Sequence, residues 1–69
     1  MQYQCWTTVG GRKILHLMRP RNPTIAQQNE MERWRRDSFK FGGKYIGFDI
    51  YFDTAEQIEQ FLIWQELQK

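Results

Sequence analysis

Residues 44–52 read Lys-Tyr-Ile-Gly-Phe-Asp-Ile-Tyr-Phe, and their side chains alternate in character from one end to the other. In an extended chain successive side chains point to opposite faces, which puts Ile46, Phe48, Ile50 and Phe52 on one side and Tyr45, Gly47, Asp49 and Tyr51 on the other. A helical period of 3.6 would scatter both sets. The stretch therefore predicts a strand, and the chain must build a sheet with a buried face around Ile46, Phe48 and Ile50.

The segments on either side supply the remaining elements. Residues 3–9 and 12–18 are two β-compatible runs separated by Gly10-Gly11, a dipeptide able to supply the positive φ that tight hairpins need. A two-residue loop would pair Val9 with Arg12, Thr7 with Ile14, Cys5 with His16 and Tyr3 with Met18 on one face. Thr8 with Lys13, Trp6 with Leu15 and Gln4 with Leu17 would fall on the other. Prolines 20 and 23 end the second run, and Asn22-Pro23 reads as a helix cap followed by a first-turn proline. That helix carries a thin apolar stripe of Ile25, Met31, Trp34 and Phe41 and stops near Gly42-Gly43. Asp53-Thr54-Ala55-Glu56 caps a second helix, which runs to the end of the chain. The expected fold is α+β in the order ββαβα: a three-stranded antiparallel-type sheet with both helices packed on one face.

With 69 residues there is room for one core, so residues 1–69 are read as a single small domain of thin stability margin that dimerisation would support. Cys5 is the only cysteine, which rules out an intrachain disulfide framework. The start lacks a basic region followed by an apolar one, and no run of about 18 apolar residues occurs, so a cytoplasmic location is expected by elimination. The net charge of +2 conceals a division: residues 1–44 hold nine Lys/Arg and three Asp/Glu, residues 45–69 one and five.

Reactive groups are sparse. Cys5 and His16 fall opposite each other in the expected hairpin, but a zinc site needs three or four ligands and no second Cys or His exists, so the two are read as a packing pair. Asp49 with Asp53, and Glu56 with Glu59, could serve as acid and base pairs, yet each has a structural explanation as cap, dipole partner or solvated side chain. The glycine pairs lack the spacing and following lysine of a phosphate loop and are read as turns. No catalytic residue, cofactor or metal is expected, and the chain is read as non-enzymatic.

The segment 33–45 is basic and aromatic. Arg33, Arg35, Arg36, Lys40 and Lys44 could neutralise phosphates while Phe39, Phe41 or Tyr45 stacks on bases, which makes RNA or single-stranded DNA binding one reading. Residues 44–51, followed by a helix, also resemble the aromatic strand motif of RNA-recognition domains. In that family the positions matching Ile46, Phe48 and Ile50 face RNA and those matching Gly47 and Asp49 face the core, an arrangement that would bury Asp49 unpaired. Tyr45 also stands where the motif has glycine. Glu30, Glu32 and Asp37 lie among the arginines and offer them i, i+4 partners, so the same segment reads as a solvated helix face.

The second helix has apolar residues on two sides. At about 100° per residue Ala55, Ile58, Phe61 and Leu62 cluster as a core face, whereas Ile63, Trp64 and Leu67 fall opposite. That second set must meet the Tyr3/Trp6 end of the hairpin, a second copy or another protein, and Ile63, Trp64, Leu67 and Trp6 are the expected interface residues. The leading expectation is a small interaction protein that binds and regulates or inhibits a larger protein or nucleoprotein complex, possible as a homodimer. In size and shape it resembles the inhibitors that phages and mobile elements encode, anti-CRISPR proteins among them.

Overall fold

The structure, a computed structural model, describes residues 1–68. Strands β1 (Tyr3–Thr7) and β2 (Lys13–Leu17) form a hairpin followed by helix α1 (Ile25–Ser38), whose last turn tightens into a 3-10 turn (Phe39–Phe41). Strands β3 (Lys44–Ile46) and β4 (Asp49–Phe52) form a second hairpin, followed by helix α2 (Ala55–Leu67). The element order is thus hairpin then helix, twice over. The sheet has four antiparallel strands in the order β1-β2-β4-β3, with the two hairpins joined through β2 and β4.

The expected three-stranded sheet is therefore corrected to four strands, and the reason lies at Gly47. Its φ of 63° is open to glycine and costly for other residues, while Phe48 keeps a negative φ. This is the pattern of a two-residue type II′ loop, and it folds the stretch 44–52 back on itself so that Ile46 pairs with Asp49 and Tyr45 with Ile50. A two-residue loop pairs positions of opposite parity, so the alternation inverts across it. Ile46 leaves the face of Ile50 and Phe52, and Tyr45 joins it. The resemblance to the RNA-recognition strand ends at the same glycine, because residues 44–51 are not one strand.

The first hairpin is shifted by one residue from the expected register. Thr8 and Arg12 close a three-residue loop, with Thr8 N–H donating to the Arg12 carbonyl at 2.8 Å, Gly11 N–H to the Thr8 carbonyl at 3.0 Å and Arg12 N–H to the Thr8 hydroxyl at 3.1 Å. Only Gly11 takes a positive φ, 88°, as a type I turn with a left-handed third residue requires. Tyr3 consequently pairs with Leu17, Cys5 with Leu15 and Trp6 with Ile14, and the expected Cys5–His16 pair does not form.

Both helices open on the same device, two residues later than read in α1 and one residue later in α2. Thr24 rather than Asn22 caps α1 and Thr54 rather than Asp53 caps α2; each hydroxyl accepts from the backbone N–H of a glutamine three residues on, Gln27 or Gln57, whose side chain reaches back to the threonine N–H. The core is a single layer: Leu15, Leu17, Ile50 and Phe52 from one sheet face against Met31 and Trp34 of α1 and Ile58 and Phe61 of α2. The ring of Phe61 is central, in contact with Trp34, Phe41 and Phe52 at 5.4 to 5.9 Å between centroids. Ile25 and Ala55, expected in the core, are exposed, and Phe41 packs against its rim.

Candidate interaction surfaces

Two helices cover one face of the sheet and leave the other open. Pairing across the four strands places Gln4 and Trp6, Ile14 and His16, Asp49 and Tyr51, and Lys44 and Ile46 on that open face. The Trp6 ring lies 5.6 Å from the His16 ring, and His16 Nδ1 donates to Asp49 Oδ1 at 2.5 Å. These three form a row across β1, β2 and β4. Beside it Ile14 is directly opposite both Trp6 and Tyr51 and is itself buried between them. Trp6 remains 43% and Ile46 72% exposed. At the loop end, Arg12, Lys44, Ile46, Tyr51 and Asp53 border a depression of about 380 Å³. Cations and carboxylates are mixed on this face.

The sequence pointed to Trp6 here but missed His16, Ile46, Asp49 and Tyr51 as its neighbours. Their common face depends on two loop geometries, the three-residue turn at Val9-Gly10-Gly11 and the inversion at Gly47, and strand alternation carries no mark of either. The positive-φ requirement of a lone glycine within the 44–52 run is the one signal that could have shown the second.

The basic segment does not gather on one face. Arg35 is built into the fold: its guanidinium donates to the Gly47 carbonyl at 3.1 Å and lies 5.0 Å from the Tyr45 ring centre and 5.9 Å from that of Phe48. Arg19 stacks on Phe48 at 5.4 Å, and Phe39 meets Tyr45 edge-on at 5.8 Å. The result is a ladder of alternating guanidinium groups and rings, Arg19, Phe48, Arg35, Tyr45, with Phe39 beyond. Arg33 and Arg36 lie on another flank of α1 among Glu30 and Glu32, and Arg36 also reaches Asp37 at 3.5 Å. Lys40 sits over the Trp64 ring at 4.9 Å, and Lys44 belongs to the open sheet face.

The four expected interface residues divide as well. Ile63 and Leu67 are 49% and 74% exposed on α2. Trp64 is half-buried by its own chain, beneath Lys40 and 6.1 Å from the Phe41 ring. Trp6 faces away from the helix layer, so it shares no surface with the other three.

Cys5 carries a free thiol on the helix side of the edge strand β1, while His16 is on the open side. Partial burial pushes the Cys5 thiol above its ordinary value, away from the thiolate that nucleophilic or metal-binding chemistry requires. Among the described residues no group of three or more His, Cys, Asp or Glu is placed to hold a metal ion, and no helix is long and apolar enough to cross a membrane. Comparison with protein-family models, curated proteins and solved structures finds no match.

Proposed function

We propose that this chain is a non-enzymatic interaction protein that sets its open sheet face on a larger protein, free or within a nucleoprotein complex, and regulates or inhibits it by occupying that surface. One observation carries the proposal: the face left uncovered by the helices holds Trp6, Ile14, Tyr51 and Ile46 among Gln4, His16, Asp49 and Lys44, where a solvated antiparallel face normally presents polar residues throughout. Tryptophan and tyrosine are the residues most enriched at energetic centres of interfaces, because they bring large rigid area with few rotatable bonds. The His16–Asp49 contact and the Trp6–His16 stacking hold this platform in place. Its rim alternates in sign, Arg12 and Lys44 against Asp49 and Asp53, which suits a protein surface better than a run of phosphates. In size and one-sided architecture the protein resembles the small inhibitors of phages and mobile elements, where surface occupation is the whole mechanism.

The Arg19–Phe48–Arg35–Tyr45 ladder favours a second reading, RNA or single-stranded DNA binding, in which bases stack beside Tyr45 or Phe39 and phosphates meet the guanidinium groups.

Capture from source cells with the wild type and a Trp6→Ala/Tyr51→Ala variant separates the two readings. Docking through the open face requires a partner held by the wild type from about 50 to 200 mM salt and lost by the variant. Equal capture by both would remove the open face from consideration. Nucleic acid that elutes steeply over the same salt range, and is lost in Arg19→Glu instead, would establish the second reading.

A further inference from the structure

The antiparallel ladder determines which backbone groups each sheet edge leaves unpaired. Met18 N–H donates to the Gln2 carbonyl and Thr8 N–H to the Arg12 carbonyl, so the even-numbered residues of β1 turn both backbone groups toward β2. Tyr3, Cys5 and Thr7 turn theirs outward, along a strand in which every residue is exposed. The opposite edge differs. Leu17 N–H donates to the Phe48 carbonyl, so Ile50 and Phe52 turn toward β2 while Asp49 and Tyr51 turn toward β3 and engage Ile46 and Lys44. Tyr45 alone faces outward there, on a three-residue strand that begins with a lysine, with the Arg35 guanidinium over its ring. Short length and charge are the devices by which natural sheets blunt an edge. Strand β3 has both and β1 has neither: residues 2–11 contain no charged side chain and no proline.

We propose that β1 is a self-pairing edge, by which two copies of the chain join antiparallel about a two-fold axis at Cys5 to form one continuous eight-stranded sheet. The outward residues Tyr3, Cys5 and Thr7 are spaced symmetrically about Cys5. Pairing Cys5 with Cys5 of the second copy, and Tyr3 with Thr7 of the second copy, matches every outward N–H to an outward carbonyl. A two-fold axis sets a residue near it against its own copy, so any charge there would repel itself, and this strand has none. Pairing β1 with β3 of another copy would instead set three outward residues against one and would propagate without closing. The edge and the open face are separate surfaces, so either assignment can hold without the other.

Sedimentation over a concentration series tests the pairing, using the wild type, Cys5→Ser and Cys5→Lys. The wild type and Cys5→Ser sediment as dimers at the upper concentrations, and Cys5→Lys, which sets two ammonium groups against each other at the axis, sediments as a monomer with unchanged circular dichroism. A short bis-maleimide captures the wild-type dimer through Cys5, a result that decides the matter even if Cys5→Lys folds poorly. A wild type monomeric up to about 1 mM, the weak end of the affinity scale, overturns the proposal. So does a dimer that persists in folded Cys5→Lys or does not cross-link at Cys5. A strand of another protein bound to this edge, with the wild type itself monomeric, overturns it too.

Discussion

Gly43→Ala tests how tightly the second hairpin is set against the helix layer. A methyl group built on Gly43 would stand 2.9 Å from Phe52 Cε1, 2.9 Å from Ser38 Cβ and 3.0 Å from Ile50 Cγ2. None of the three can move cheaply: Ile50 and Ser38 are fully buried, Phe52 is 1% exposed, and Ser38 Cβ sits directly on the backbone of α1. Forcing extra carbon into a filled core costs about 1–3 kcal/mol, against a gain of about 0.4–1 kcal/mol from the stiffer unfolded chain. With three contacts inside the normal limit the upper part of that range applies, and the net loss is about 2 kcal/mol. For a domain of this length that lowers the melting midpoint by roughly 8–16 °C. Gly10→Ala is the matched control, since its methyl would meet only the Thr8 hydroxyl at 3.9 Å and its φ is not positive. That change should be neutral or raise stability by up to about 1 kcal/mol. Thermal and urea unfolding of both variants measure the difference. Equal stabilities for the two would refute the close approach of β3 to the Ser38 turn, and with it the placement of the second hairpin.

Other expectations follow from the same contacts. Gln65 is buried with neither amide atom bonded to any described residue, beside a cavity of about 80 Å³, so Gln65→Leu should raise stability by about 1 kcal/mol in urea titration; a loss of that size would show that the amide is satisfied there. Phe61→Ala should cost about 3–5 kcal/mol, while Ile46→Ala, on the open face, should cost under about 1 kcal/mol; comparable losses would restore the single uninterrupted strand. The raised Cys5 thiol predicts alkylation by iodoacetamide that accelerates only above the ordinary thiol range. Its folded-state value exceeds the unfolded one, so its contribution to stability is present at neutral pH and is lost as pH rises through that alkaline window; a Cys5→Ser variant with the same alkaline stability loss would show that another group is responsible.

The sequence revealed elements more reliably than their pairing. Both helices, the first hairpin and the α+β class were legible because apolar spacing, prolines and glycines act locally. The capping threonines lie two residues beyond Asn22 and one beyond Asp53, since asparagine, aspartate and threonine all serve as caps and only the glutamine three residues after each threonine marks the choice. Register was not legible. Val9-Gly10-Gly11 as a three-residue loop and Gly10-Gly11 as a two-residue loop differ by one position, and that position moves Cys5 from His16 to Leu15. The run 44–52 hid a turn because Phe48, at its tip, still packs against the core and so preserves the look of alternation. The basic segment scattered because Arg35 lies on one side of α1 and Arg33 with Arg36 on another, and only the contact of Arg35 with Tyr45 and Phe48 shows which of them stacks.

The uncovered face has a simple cause: two helices pack on one side of the four strands and leave the other open. A slip of one residue in β2 would exchange Leu15 and Leu17 for Ile14 and His16 in the core, so burial of the leucines fixes the register and consigns Ile14 and His16 to the open side. Burial of Ile50 and Phe52 does the same to Asp49 and Tyr51. The core thereby dictates which positions face outward, but not what occupies them. Threonine, lysine or glutamine at positions 6, 46 and 51 would leave the core untouched and the face better solvated. Tryptophan, isoleucine and tyrosine stand there instead: Trp6 and Tyr51 flank Ile14, Trp6 also stacks on His16, and Trp6 and Ile46 stay 43% and 72% exposed. Under the proposed docking, a partner would take Trp6 and Tyr51 out of water without any rearrangement of the strands that hold them.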